Sequence, residues 1–154
     1  MSEKPSILIV EGRFYDDIAD ELVKGATAVL DEAGMGYERM PVPGAFEVPQ
    51  AIRFAIRSME IGSAMSRYAG FIGFGCVIRG ETSHYDYVCQ ESARALMDIV
   101  MNYSVALGYG ILTVENRDQA WERADVGKKN KGGDVANACL RMMDLKKQFR
   151  LVPR

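Results

Sequence analysis

Three stretches of this chain are apolar at almost every position, where a half-exposed strand would alternate: SILIV (6–10), GFIGFGCVI (70–78) and GYGILTV (108–114). A strand without a polar face must be buried on both sides, as in a parallel sheet covered by helices. A fourth run, GYERMPV (36–42), carries Glu38 and Arg39 and ends against prolines, so it reads as an edge strand. Helical periodicity fills the intervals. Ile18, Leu22, Val23, Ala26, Val29, Leu30 and Ala33 fall on one stripe, and Gly34 supplies a stop. PQAIRFAIRSM predicts a second helix, with Pro49 in its first turn. A third starts near His84 and is marked by Val88, Leu96, Ile99, Val100 and Tyr103. NRDQAWERA predicts a short fourth with Asn116 as N-cap. A fifth is marked by Val135, Ala138, Cys139, Met142 and Leu145. The order βα βα βα βα α predicts an α/β fold with a parallel sheet, helices on both faces and right-handed crossovers. The 154 residues show no repeat or linker, so one domain spanning 1–154 is expected, with EIGSAMSRY (60–68) a loop before the third strand.

Charge and residue counts exclude several functions. A net charge of −2 gives no global attraction to nucleic acid or an anionic membrane, and neither is expected as partner. Cys76, Cys89 and Cys139 form no CxxC pair, which fits reduced thiols in a cytosolic protein. A single histidine rules out a multi-histidine metal site within one chain, and no metal is expected. The N-terminal residues lack the apolar core of a secretory signal, and no stretch reaches the roughly 20 apolar residues of a membrane span. A cytoplasmic location is the expectation.

In open α/β sheets ligands bind beyond the carboxyl ends of the strands. The unusual residues concentrate there. In GCVIRGETSHYDYVC, Gly80 breaks the chain and Glu81, Thr82 and Ser83 lead into a helix whose first N–H groups lack internal partners. They suit a phosphate, with the Thr82 hydroxyl helping; equally, Thr82 or Ser83 simply caps the helix. His84 follows in the first turn, where an imidazole gives and takes protons near neutrality or merely stands exposed. PVPGAFEVP holds Ala45, Phe46 and Glu47 in a stiff, proline-rich loop, fit for a polyhydroxylated ligand or for an ordinary rigid turn. Phe14 stacks on a planar ring or closes the core, and Tyr109 carries the same ambiguity. Arg123, Lys128, Lys129 and Lys131 occupy a glycine-punctuated basic turn that lacks P-loop spacing.

Taken together, ILIVEGRFYDDIADELVKGA, VPGAFEVP, GCVIRGETSHYDYV, LTVENRDQAWERA and NKGGDVA resemble the lumazine synthase family in order and spacing over nearly the whole chain. The resemblance implies a flavodoxin-like three-layer α/β/α sandwich with a four-stranded parallel sheet. It implies condensation of a ribitylamino-pyrimidinedione with 3,4-dihydroxy-2-butanone 4-phosphate, a step of riboflavin biosynthesis, with no metal or organic cofactor. By motif position, Phe14 would stack on the pyrimidine. Ala45, Phe46 and Glu47 would hold its edge and the ribityl chain, and Cys76, Val77 and Ile78 would offer backbone groups. Glu81 and Thr82 would bind the phosphate and His84 would transfer protons. An adjacent subunit would contribute Tyr109, Lys131 and, against the phosphate, Arg123. Tyr15 stands where the family often has asparagine, and Tyr109 where phenylalanine is common. The turn DVGKKNKGG lacks the glycine–lysine–x–glycine pattern of capsid-forming members, so a homopentamer is expected, while segment 60–68 is atypical. Two rivals share these motifs or this fold: a weak paralogue that mainly binds lumazine or flavin, and a monomeric flavodoxin-like module.

Overall fold

The computed structural model describes residues 6–65 and 67–151, so Ser66 of segment 60–68 and the N-terminal residues 1–5 lie outside it. Four parallel strands, β1 (Ser6–Gly12), β2 (Gly36–Val42), β3 (Tyr68–Ile78) and β4 (Leu107–Val114), form one sheet in the order β2-β1-β3-β4. β2 lies at an edge, as its charged pattern predicts. Strand periodicity divides the apolar residues between two cores. Ile7, Ile9, Ile72 and Phe74 face α1 (Asp16–Glu32), α4 (Arg117–Ala124) and α5 (Lys131–Gln148). Leu8, Val10, Phe71 and Ile111 face α2 (Val48–Glu60) and α3 (His84–Tyr103). The result is the three-layer α/β/α sandwich that the continuous apolar runs require.

Several boundaries and faces differ from the sequence reading. β1 runs on to Gly12, and Glu60 and Tyr68, expected in a loop, belong to the end of α2 and the start of β3. Ala33 at the end of α1, and Ala138 and Met142 on α5, are exposed. The buried face of α5 runs through Gly132, Val135, Ala136, Cys139 and Met143. Its glycines explain the rotation. Gly132 and Gly133 belong to the first turn of α5 and not to a basic turn, and a Cβ on Gly132 would stand 2.0 Å from the Leu22 carbonyl oxygen of α1. Only a residue without a side chain allows the helices to meet there, and that contact fixes the face α5 presents. Asn116 caps α4 as expected, its side chain accepting from the Gln119 N–H at 2.9 Å. Among the described residues no helix is long and apolar enough to cross a membrane.

From β1 the chain moves outward to β2, then returns across β1 to β3. That reversal opens a crevice at the carboxyl end of β1 and β3. The β1–β3 ladder stops at Glu11–Phe74, whereas the β3–β4 ladder continues to Ile78–Val114. Gly75 through Ile78 therefore outrun their β1 partner, and their unpaired flank fronts the crevice.

Candidate active site

Two glycines of β3 bring the proline-rich loop to the crevice. A Cβ on Gly73 would stand 2.8 Å from Val48 Cγ1, and one on Gly75 would stand 3.1 Å from Ala45 Cβ. The short 3-10 turn Ala45–Glu47 and the start of α2 thus rest directly on the strand backbone. The run GFIGFG makes a flat seat for this turn.

The opposite wall is the turn after β1, stapled by charge. Glu11 is 2% exposed at the end of an otherwise apolar strand. It accepts from Arg13 Nη1 at 2.5 Å and from Arg39 Nε and Nη2 at 2.8 and 2.9 Å. Arg13 also donates to Asp20 at 2.5 Å and to Asp16 at 2.8 Å. Hydrogen bonds to Asp20, Asp16 and Glu11 outweigh desolvation and raise the Arg13 pKa, so the guanidinium stays charged. These bonds pin the turn to both β1 and α1. The residue they present is Phe14, 75% exposed and so not a core residue. Sequence reading passed over Glu11; a lone carboxylate ending a buried strand, two residues before an arginine, was the available signal.

Between these walls lies a cleft of about 560 Å³. Phe14 and Tyr15 line it after β1; Ala45, Phe46 and Glu47 line it after β2; Cys76, Val77, Ile78 and His84 line it from β3 onward. Phe46, like Phe14, is largely exposed, so two aromatic faces stand open to a planar guest. Burial pushes the Cys76 thiol up to about 12, so it is a neutral wall and not a nucleophile. His84 is the first residue of α3. Neither capping alternative takes its usual form: the Ser83 side chain makes no cap bond, and Thr82 Oγ1 accepts from the His84 N–H at 3.3 Å. The Thr82 hydroxyl proton is left available to a ligand oxygen. Glu81 and Thr82 are exposed in the bend just before His84 and do not line the cleft itself.

Three anticipated residues stand apart from this cleft. Tyr109 projects from edge strand β4 into a separate apolar groove with Leu96, Met97, Val100 and Met142. Arg123 sits on α4, donating from Nη1 to the Gln119 carbonyl at 3.0 Å, and exposed Lys131 opens α5. Among the described residues no cluster of three or more His, Cys, Asp or Glu side chains is placed to hold a metal ion.

The strand order defines a flavodoxin-like α/β protein, and the cleft at the reversal of its sheet, with its aromatic, carboxylate and imidazole lining, is its candidate small-molecule site. The family model for 6,7-dimethyl-8-ribityllumazine synthase matches residues 4–147, and the chain belongs to that family. It is 50% identical over 149 residues to the 6,7-dimethyl-8-ribityllumazine synthase of Bartonella tribocorum, covering 97% of this chain and 95% of the relative. It is 54% identical over 143 residues to 6,7-dimethyl-8-ribityllumazine synthase 1 of Rhizobium meliloti, covering 93% and 92%. The synthase of Agrobacterium fabrum is 51% identical over 146 residues, covering 95% and 97%.

Proposed function

We propose that this chain, as one domain, condenses 5-amino-6-(D-ribitylamino)uracil with 3,4-dihydroxy-2-butanone 4-phosphate to give 6,7-dimethyl-8-ribityllumazine, phosphate and two waters, in the cytoplasm. The observation that carries the reading is convergence. Segments far apart in the chain bring Phe14, Ala45, Phe46, Glu47, Cys76, Val77, Ile78 and His84 to one cleft, in a chain of this family. Phe14 stacks on the pyrimidine. Ala45, Phe46 and Glu47 hold its edge and the ribityl chain, with the Glu47 carboxylate accepting from hydroxyls. The unpaired flank of Cys76–Ile78 supplies backbone donors and acceptors to the heterocycle. The Glu81 and Thr82 N–H groups and the Thr82 hydroxyl hold the phosphate at the start of α3, where the helix dipole favours an anion.

The chemistry asks for little beyond placement and proton movement. The pyrimidine amine attacks the ketone and a first water leaves as the imine forms. Loss of the C3 proton expels phosphate from C4, and the enol left at C3 tautomerises to a second carbonyl beside a methyl group. The ribitylamino nitrogen then closes on the second carbonyl, releasing the second water. His84, beside the phosphate position, moves protons in these steps. Orientation contributes on the order of 7–11 kcal/mol, and a general acid–base about 10²–10⁴-fold.

Tyr109, Arg123 and Lys131 act from an adjacent copy of the chain in a homopentamer, with Arg123 against the phosphate. Their position outside the chain's own cleft supports this allocation. The deciding test mixes both substrates with the purified protein and follows the lumazine by absorbance or fluorescence. Absence of product with both substrates saturating overturns the reading.

A further inference from the structure

We infer that Tyr15 is a positioning residue: it fixes the ring of Phe14 at the cleft, and Arg117 holds Tyr15 in place from α4. The inference rests on the function proposed above and adds to it what orients the stacking platform. Phe14 is three-quarters exposed, so the cleft by itself does not immobilise its ring. Tyr15 meets that ring edge-on, with centroids 4.9 Å apart and planes at 73°, the arrangement that ring quadrupoles favour. Tyr15 is itself anchored, since it packs against the core beneath α1 while also lining the cleft. The Arg117 guanidinium lies 6.0 Å from its ring centroid, at the outer reach of a cation–π contact. Arg117 in turn pairs with Asp17 in the first turn of α1, so α4 and the turn after β1 are tied together around the phenol ring.

The choice of tyrosine has no local rationale. Tyr15 occupies the N-cap of α1, a place that favours Ser, Thr, Asp or Asn, and its side chain makes no cap bond. A residue that breaks a local rule at the wall of a site marks a demand from the site. Desolvation raises the Tyr15 pKa, with a smaller contribution from Cys76, so the ring stays a neutral phenol.

The test separates platform from scaffold. In Tyr15→Leu, which keeps apolar volume and removes the aromatic edge, KM for the pyrimidine rises about fivefold while kcat and KM for the butanone phosphate stay within about twofold. Tyr15→Phe restores the native KM. Arg117→Gln raises the same KM by a smaller factor, and also serves if the leucine variant fails to fold. Binding of 6,7-dimethyl-8-ribityllumazine, followed by its fluorescence, gives a readout independent of turnover and weakens in the same order. Unchanged pyrimidine KM in Tyr15→Leu, or equal rises for both substrates, overturns the inference. A native protein that neither turns over nor binds lumazine overturns instead the function on which it rests.

Discussion

Individual residues of this chain carry loads that can be measured one at a time. Glu11 is the buried centre of a network whose arginines reach solvent. Glu11→Gln leaves Arg13 its bonds to Asp16 and Asp20 but strips Arg39 of a bidentate partner. The cost should be about 2 kcal/mol in urea unfolding, below the roughly 3–5 kcal/mol of a fully buried pair. Cys139 is wholly buried, and burial raises its thiol from the ordinary 9.0 to about 12. Between those values the unfolded chain is deprotonated and the folded chain is not, so stability falls as pH rises through the window. The slope is at most about 1.4 kcal/mol per pH unit. Cys139→Ala should lower stability everywhere yet flatten that alkaline slope, as urea midpoints across the window would report. In the cleft, His84→Ala should lose about 10²–10⁴-fold in kcat and keep measurable turnover. Arg123→Ala should raise KM for the phosphate substrate more than for the pyrimidine; the reverse would remove its assignment.

Elements are seated on one another by missing side chains as much as by present ones. Gly73→Ala places a Cβ 2.8 Å from Val48 Cγ1, and should cost about 1–3 kcal/mol while loosening the Ala45–Glu47 turn. Adding Val48→Ala frees the space, so the double variant should recover part of the loss in thermal unfolding and in pyrimidine KM. If the two changes simply add, the seat is not as described. The same glycines mark the limit of what the sequence disclosed. Continuous apolar runs announced β1, β3 and β4, and Glu38 and Arg39 announced the edge, because solvent and core impose those patterns residue by residue. The face of α5 was misjudged because Gly132 and Gly133 read as turn formers, whereas Gly132 serves a contact with Leu22, far away in the chain, and Gly133 packs against the cap residue Asn130. The cleft residues were legible through motifs. Glu11 and Arg117 were not, because a charged residue's partner is chosen by the fold and leaves no spacing behind.

At the scale of the whole molecule, the proposed sharing of the cleft between neighbouring copies would make the assembly part of the chemistry. Light scattering should give a particle of five times the 17.1 kDa chain. Refolding His84→Ala chains together with Arg123→Ala chains should place intact halves face to face at about a quarter of the interfaces. Turnover of the mixture should then exceed the average of the two parents. No gain on mixing would mean that each chain completes its own site. The sheet itself sets a further limit, through the stretch of β3 that outlasts β1. Had β1 run a few residues longer in register, ordinary ladder bonds would have zipped that flank shut and closed the berth proposed for the heterocycle. Ending one strand early leaves that flank open, and on the proposed function an extended peptide that adds itself to the bare edge would exclude the pyrimidine as a surrogate strand.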